Sequence, residues 1–194
     1  LGSMLGKAAK GYDFAEDLER FTTYQKNGYV GIDIGSELKN IEKILKGVSL
    51  SGDYSLRTKD ELLSYGELIS GRVLSALLNE SGLKAQLVDS RALIKTDDTF
   101  NNAEVDERIS KENIIRSFHG IDTETIPVVT GFIGSTKEGV TTTLGRNGTN
   151  YSAALLANFL DASELVNYTH VDGIFTANPD LVSDAKLIDV ISYD

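Results

Sequence analysis

The chain has 194 residues, with 19 Lys and Arg against 29 Asp and Glu, two His, no Cys and no Trp. Its 41% apolar and 25% charged residues are those of a globular protein long enough to bury a core, which removes collagen-like and disordered readings. A net charge of -10 opposes a cationic stripe that could track phosphate backbones or an anionic bilayer, so neither a nucleic acid nor a membrane is expected as partner.

Zero cysteine excludes disulfides, thiolate metal sites and thiol nucleophiles. His119 and His170 lie too far apart to form a zinc site by themselves, and no metal site is expected. No run approaches 18 apolar residues, and Leu1-Gly-Ser-Met4 has neither the basic nor the apolar region of a signal peptide. The expectation is a soluble, cytoplasmic protein.

Residues 5 to 50 read as helical, with Phe14, Leu18 and Phe21 at near-helical spacing and then Leu38, Ile41, Ile44 and Leu45; Gly28 to Gly35 interrupts the pattern. A loop over Ser49 to Ser55 leads to a helix start in which Thr58 caps and Glu61 reaches back as in a capping box. This helix is expected to run to Ser81 and stop at Gly82, burying Leu62, Leu63, Ile69, Val73, Leu77 and Leu78. Ala85, Leu87 and Val88 suggest a short strand, Thr96 to Asn102 a polar loop, and Asp106 to Phe118 a helix. Ile126 to Ile133 reads as one strand buried on both faces, Thr141 to Leu144 as another extended run, Gly145 to Asn150 as a tight loop, and Tyr151 to Leu160 as a largely buried helix. Leu165 to Thr169 and Leu187 to Ile191 are further strand candidates. The alternation predicts an α/β three-layer domain.

Four places are candidates for chemistry. In Leu144-Gly-Arg-Asn-Gly-Thr-Asn150 two glycines permit close backbone approach, free amides open a helix, and Arg146 adds a permanent cation, a combination suited to an anion. Asn147-Gly148 is equally an ordinary turn, and Thr149 or Asn150 an ordinary cap. Gly131-Phe-Ile-Gly-Ser-Thr-Lys137 follows a strand, where α/β sheets place ligands, but lacks the Gly-Lys-Ser/Thr ending of a P-loop. Glu67, beside the side-chain-free Gly66, offers a carboxylate to an ammonium group or is a solvated helix residue. In Thr169-His-Val-Asp-Gly-Ile-Phe-Thr-Ala-Asn-Pro179, Asp172-Gly173 is a turn signal, and Phe175 either joins the core or covers a flat ring.

Taken in order and spacing, Ser64-Tyr-Gly-Glu-Leu-Ile-Ser70, Leu87-Val-Asp-Ser-Arg91, Gly131-Phe-Ile-Gly-Ser-Thr136, Thr142-Thr-Leu-Gly-Arg-Asn-Gly-Thr-Asn-Tyr-Ser-Ala-Ala154 and Val171-Asp-Gly-Ile-Phe-Thr-Ala-Asn-Pro179 resemble aspartokinase from about Thr58 to Asp194. The Arg-Asn-Gly form is similar to that of the branch fused to homoserine dehydrogenase. The resemblance implies an amino-acid-kinase-like three-layer αβα sandwich, here incomplete at both ends: one partial kinase domain over 1–194, with no ACT or dehydrogenase domain. It implies transfer of the γ-phosphoryl of Mg-ATP to the β-carboxylate of L-aspartate, giving ADP and 4-phospho-L-aspartate, the first step toward lysine, threonine and methionine.

By that resemblance Glu67 pairs with the substrate ammonium, Arg146 forks a substrate carboxylate, and Thr149 lies beside substrate. Gly131 and Gly134 line the cleft, and the nucleotide side is bordered by Thr169, Val171, Asp172 and Phe175. ATP and Mg2+ are the implied cofactors, and Arg146 and Asn150 the catalytic positions. Asn150 stands where the family usually has Asp, His170 where Asp is usual, Phe175 where Tyr is common, and Asp180 where Arg often follows the Pro. No Lys-Phe-Gly-Gly motif occurs in residues 1 to 57, and Gln25 to Ser36 fits the family poorly. The chain alone is therefore expected to bind aspartate weakly and not to turn over, and the open edge left by a missing strand invites a homodimer. The alternative is a noncatalytic binding or interaction module on the same fold.

Overall fold

The computed structural model describes residues 1–28, 31–169 and 172–192. Two compact units divide the chain, Leu1–Ser163 and Glu164–Asp194. The first opens with three helices, α1 (Gly2–Ala9), α2 (Ala15–Gly28) and α3 (Gly35–Ser51). Helix α2 thus continues through Gly28, where an interruption is expected from sequence. Helix α3 stops at Gly52, whose φ of 73° ends the helix in the left-handed region at no steric cost.

The long helix α4 (Leu56–Glu80) starts at Ser55, three residues before the expected cap. The Ser55 hydroxyl accepts the Thr58 N–H at 3.1 Å, so Thr58 is inside the first turn. Glu61 accepts the Tyr65 hydroxyl at 3.0 Å one turn on, which leaves no capping box. Leu62, Ile69 and Val73 are buried as expected, whereas Leu77 is exposed. With Met4, Leu5, Ala8, Leu38, Ile41, Leu45 and Val48 they form a helical core between α1, α3 and α4.

Strands β1 (Ala85–Val88) and β2 (Ile126–Val129) pair in parallel, Ala85 opposite Ile126 and Val88 opposite Val129. Between them run the short helix α5 (Ser90–Leu93) and helix α6 (Glu107–His119), capped by Asp106, whose carboxylate accepts the Ile109 N–H. The expected single strand over Ile126 to Ile133 is broken. Phe132 sits at φ 68° and the Ile133 N–H donates to the Gly131 carbonyl across it, a tight reversal that separates β2 from β3 (Ile133–Ser135). Strand β3 pairs antiparallel with β4 (Thr141–Thr143), and helix α7 (Gly148–Phe159) follows.

Side chains on neighbouring strand positions point to opposite faces. Leu87 lies against Gly71 of α4, while Val88 joins Leu93, Ile94, Ile114, Leu144 and Leu155 in a second core shared with α5, α6 and α7. The strands are therefore covered by α4 on one face and by α6 and α7 on the other, the expected α/β layering. Helix α7 is less buried than its composition suggests, with Gly148, Ser152 and Leu155 its buried residues.

In the second unit neither Leu165 to Thr169 nor Leu187 to Ile191 forms a strand. Phe175 and Leu187 share one antiparallel bridge, supported by Thr176 N–H to the Lys186 carbonyl at 2.9 Å and Ile188 N–H to the Ile174 carbonyl at 2.8 Å.

Candidate functional site

A cleft of about 470 Å³ opens where α4 faces the start of α7, lined by Glu67, Phe132 and the run Gly145 to Asn150. Three local features build it. Gly145, at φ 73°, turns the chain out of β4 with Asn101 and Asn102 packed so closely that no Cβ would fit. Asn147, at φ 63°, takes the N-cap position of α7 without bonding its side chain to the helix. The Gly148 N–H donates back to the Gly145 carbonyl, whereas the amides of Thr149 and Asn150 have no acceptor among the described residues. Free amides at a helix start favour an anion there.

The wall opposite is the Gly131 to Phe132 reversal. A Cβ on Gly131 would lie 2.7 Å from Thr149 Cγ2 and 3.2 Å from Thr149 Cα, so glycine is what lets the two segments meet. The Phe132 N–H donates to the buried Ser152 hydroxyl at 3.0 Å, and Ser152 donates to the Gly148 carbonyl at 2.9 Å, tying the reversal to α7.

Two opposite charges face this cleft. Glu67 is half-buried, and that burial pushes its carboxyl above the usual carboxylate range. Arg146 is exposed and takes part in no ion pair among the described residues. A half-buried carboxylate, a free guanidinium and uncapped amides suit a small zwitterion carrying extra negative charge. The space beside Gly66 is not part of this arrangement, because Leu1 Cδ1 lies 3.5 Å from where a Cβ would be.

Glu67, Arg146, Thr149 and Asn150 thus share one cleft, with Gly131 packed against Thr149. Gly134 is buried in β3, where its Cβ would meet the Ile94 carbonyl at 2.9 Å, so strand packing already accounts for a glycine there. Thr169, Asp172 and Phe175 belong to the second unit, and Val171, like His170, lies outside the described residues. Phe132 and Asn147 line the cleft unforeseen by the sequence reading; the signals were Phe after Gly131 and Asn before Gly148.

At the start of α5, Arg91 grips Asp89 in a fork, Nε to both carboxylate oxygens at 3.0 Å and Nη2 to Oδ2 at 2.6 Å, while Nη1 reaches the Thr141 hydroxyl at 3.3 Å. The bonds to Asp89 hold the guanidinium above its usual pKa. Burial, then the adjacent Glu61 carboxylate, pushes the Tyr65 phenol up to about 12.

The model of the Amino acid kinase family matches residues 8–194. Lysine-sensitive aspartokinase 3 of Escherichia coli K12 is 40% identical over 156 residues, covering 80% of this chain and 34% of that protein. The chloroplastic bifunctional aspartokinase/homoserine dehydrogenase 1 of Zea mays is 31% identical over 179 residues, 92% of this chain and 18% of its own length. Relatives with and without a fused dehydrogenase are therefore both found. Among solved structures, E. coli aspartokinase III in complex with aspartate and ADP (R-state) superposes with a TM-score of 0.87 at 34% identity, covering 96% of this chain and 44% of that one. Its T-state complex with lysine and aspartate gives 0.82. The chain spans between about a fifth and under half of the length of these relatives. The layered fold and these similarities show that the chain belongs to the amino acid kinase family, and the relatives named here to which it is similar are aspartokinases.

Proposed function

We propose that the cleft binds L-aspartate for phosphoryl transfer from ATP to its β-carboxylate, the aspartokinase reaction that leads to lysine, threonine and methionine. The observation that carries this reading is the joint placement of Glu67 and Arg146 in one cleft beside the open amides of α7. Glu67 receives the substrate ammonium, whose charge offsets the cost of burying the carboxylate. Arg146 holds a substrate carboxylate in a two-bond fork, and Thr149 with its amide sits alongside. Gly131 keeps the wall close, and Asn150, third residue of α7, occupies the second catalytic position with an amide in place of the family's usual carboxylate.

Phosphoryl transfer needs little covalent chemistry from protein groups, so positioning and charge neutralisation carry the rate. ATP and Mg2+ are proposed as cofactors, Mg2+ neutralising the phosphates; Thr169, Val171, Asp172 and Phe175 are the proposed nucleotide-side residues. Gly134 is retained as a cleft-side position at one remove, behind the Gly131 reversal. Residues 1–194 are read as part of one kinase domain, in a cytoplasmic protein, and the short two-stranded ladders, whose edges can accept another strand, support a homodimer.

Calorimetric titration of the chain with L-aspartate and with ATP separately tests the reading. L-aspartate is expected to bind, and Arg146→Ala to weaken it by at least about tenfold, the scale of a lost charge-assisted bond. Equal affinity in the parent and Arg146→Ala would remove Arg146 from recognition.

A further inference from the structure

Asp60 is fully buried in α4, and substrate reading gives it no task. Its Oδ2 accepts the N–H of Asn101 at 2.8 Å and of Thr143 at 2.9 Å, and its Oδ1 accepts the Thr143 hydroxyl at 2.8 Å. The partners are 41 and 83 residues away in sequence. Both lead to the Arg146 loop. Thr143 ends β4, three residues before Arg146, and the Asn101 carbonyl lies 3.1 Å from where a Cβ on Gly145 would be, with the Asn102 side chain closer still. Lys59 adds a bond from Nζ to Asn101 Oδ1 at 2.5 Å.

Glu67 follows Asp60 by seven residues in the same helix, about two turns, and therefore shares its face. Two turns of helix join this buried carboxyl to Glu67, and its three hydrogen bonds hold Thr143, at the end of β4, and the Asn101 turn, the two segments that lead into or pack against the Arg146 loop. Burying such a group is costly unless every lone pair finds a donor, and an apolar residue of similar size would hold α4 against β4 without that cost. What the carboxyl adds is direction: its bonds fix where β4 and the Asn101 turn sit along α4.

We propose that Asp60 is a positioning residue that sets the separation between Glu67 and Arg146, and so makes the cleft discriminate a four-carbon amino dicarboxylic acid from its five-carbon homologue. This rests on the amino-acid reading of the cleft given above. Discrimination of a single methylene is worth about 10- to 200-fold at best and requires the two anchoring groups to be held at a fixed distance.

The test compares the parent chain with Asp60→Ala, Asp60→Asn and Thr143→Val. Its readouts are the ratio of L-glutamate to L-aspartate dissociation constants and amide hydrogen exchange in the loop at Leu144 and Gly148, whose N–H groups donate to the Phe132 and Gly145 carbonyls. Asp60→Asn keeps the shape, and the Thr143 hydroxyl can reverse to accept from the amide, so the ratio is expected to stay within about threefold of the parent. Asp60→Ala is expected to cut the ratio by about tenfold and to speed exchange in the loop. Thr143→Val, which removes one bond and leaves both amide bonds, is expected to do the same to a smaller degree.

A role limited to stability would lower the folded fraction, weaken both amino acids by one factor and leave the ratio unchanged; that result overturns the proposal. Should Asp60→Ala fail to unfold cooperatively, Thr143→Val decides, and parent-like ratio and exchange in it overturn the proposal. If the parent binds neither amino acid the substrate reading fails on its own. Loop exchange then judges Asp60: faster in Thr143→Val and Asp60→Ala supports positioning, and unchanged overturns it.

Discussion

Glu67 is held half-buried in the cleft, and burial alone raises its carboxyl pKa. An unfolded Glu titrates near about 4.3, so above that pH the unfolded chain releases a proton that the folded chain still holds. The stability this group contributes is full below the unfolded value and is lost as pH rises through the folded one. Glu67→Gln, which has no charge to bury, is therefore expected to melt higher than the parent at pH 7, with the difference closing at pH 4, as followed by thermal unfolding at both pH values. An equal difference at the two would contradict a desolvated carboxylate. At this scale residue type singled out Glu67 and Arg146 as candidates, and the structure places both in one cleft. At Phe132 and Asn147 the sequence carried only a Phe after Gly131 and the Asn of an ordinary turn, and what brings them to the cleft, a positive φ that at Phe132 is imposed by tertiary packing, could not be read from those signals. Gly134 shows the opposite case, a glycine whose need for space comes from the Ile94 carbonyl in its own strand neighbourhood.

Elements were read more reliably than their ends. Helix α4 was expected, but Ser55 and Thr58 are both capping types three residues apart, and only the observed bond from Thr58 N–H to the Ser55 hydroxyl decides between them. Ser55→Ala is expected to cost about 1 kcal/mol, lowering the melting temperature by roughly 2–4 °C for a domain of this size; Thr58→Ala, which leaves the cap acceptor in place, should cost less. The apolar run Ile126 to Ile133 suggested one continuous strand because period-free hydrophobicity says nothing of a reversal inside it. That reversal shapes the cleft. A methyl at residue 131 would overlap Thr149 side chain and backbone, so Gly131→Ala is expected to displace the first turn of α7. The checks are a melting temperature lowered by several degrees and aspartate affinity reduced more than in a Ser55→Ala control of similar stability. Parent-like binding in Gly131→Ala would show that the wall does not touch the ligand.

Across the whole molecule, two cores lie on either side of α4 and the strands, one purely helical from α1, α3 and α4 and one formed with α5, α6 and α7. The layered α/β class was visible in the alternation of periods, since each helix must bury a stripe against a sheet or another helix. The strands expected over Leu165 to Thr169 and Leu187 to Ile191 do not form, for a strand's stability lies in its partners and the described residues of the second unit offer a single bridge, Phe175 to Leu187. Among the described residues no helix is long and apolar enough to cross a membrane. The measurement that tests the central claim most directly is thermal unfolding of the chain with and without saturating L-aspartate, with L-glutamate as control. At about 100 times its dissociation constant a ligand adds roughly 2.7 kcal/mol, which for a domain of this size is a rise of roughly 5–10 °C. A single cooperative transition raised by L-aspartate, and raised less by L-glutamate at the same concentration, is the result predicted by a cleft that reads the amino acid through Glu67 and Arg146. A cooperative transition indifferent to L-aspartate would contradict it and favour a noncatalytic module on this fold.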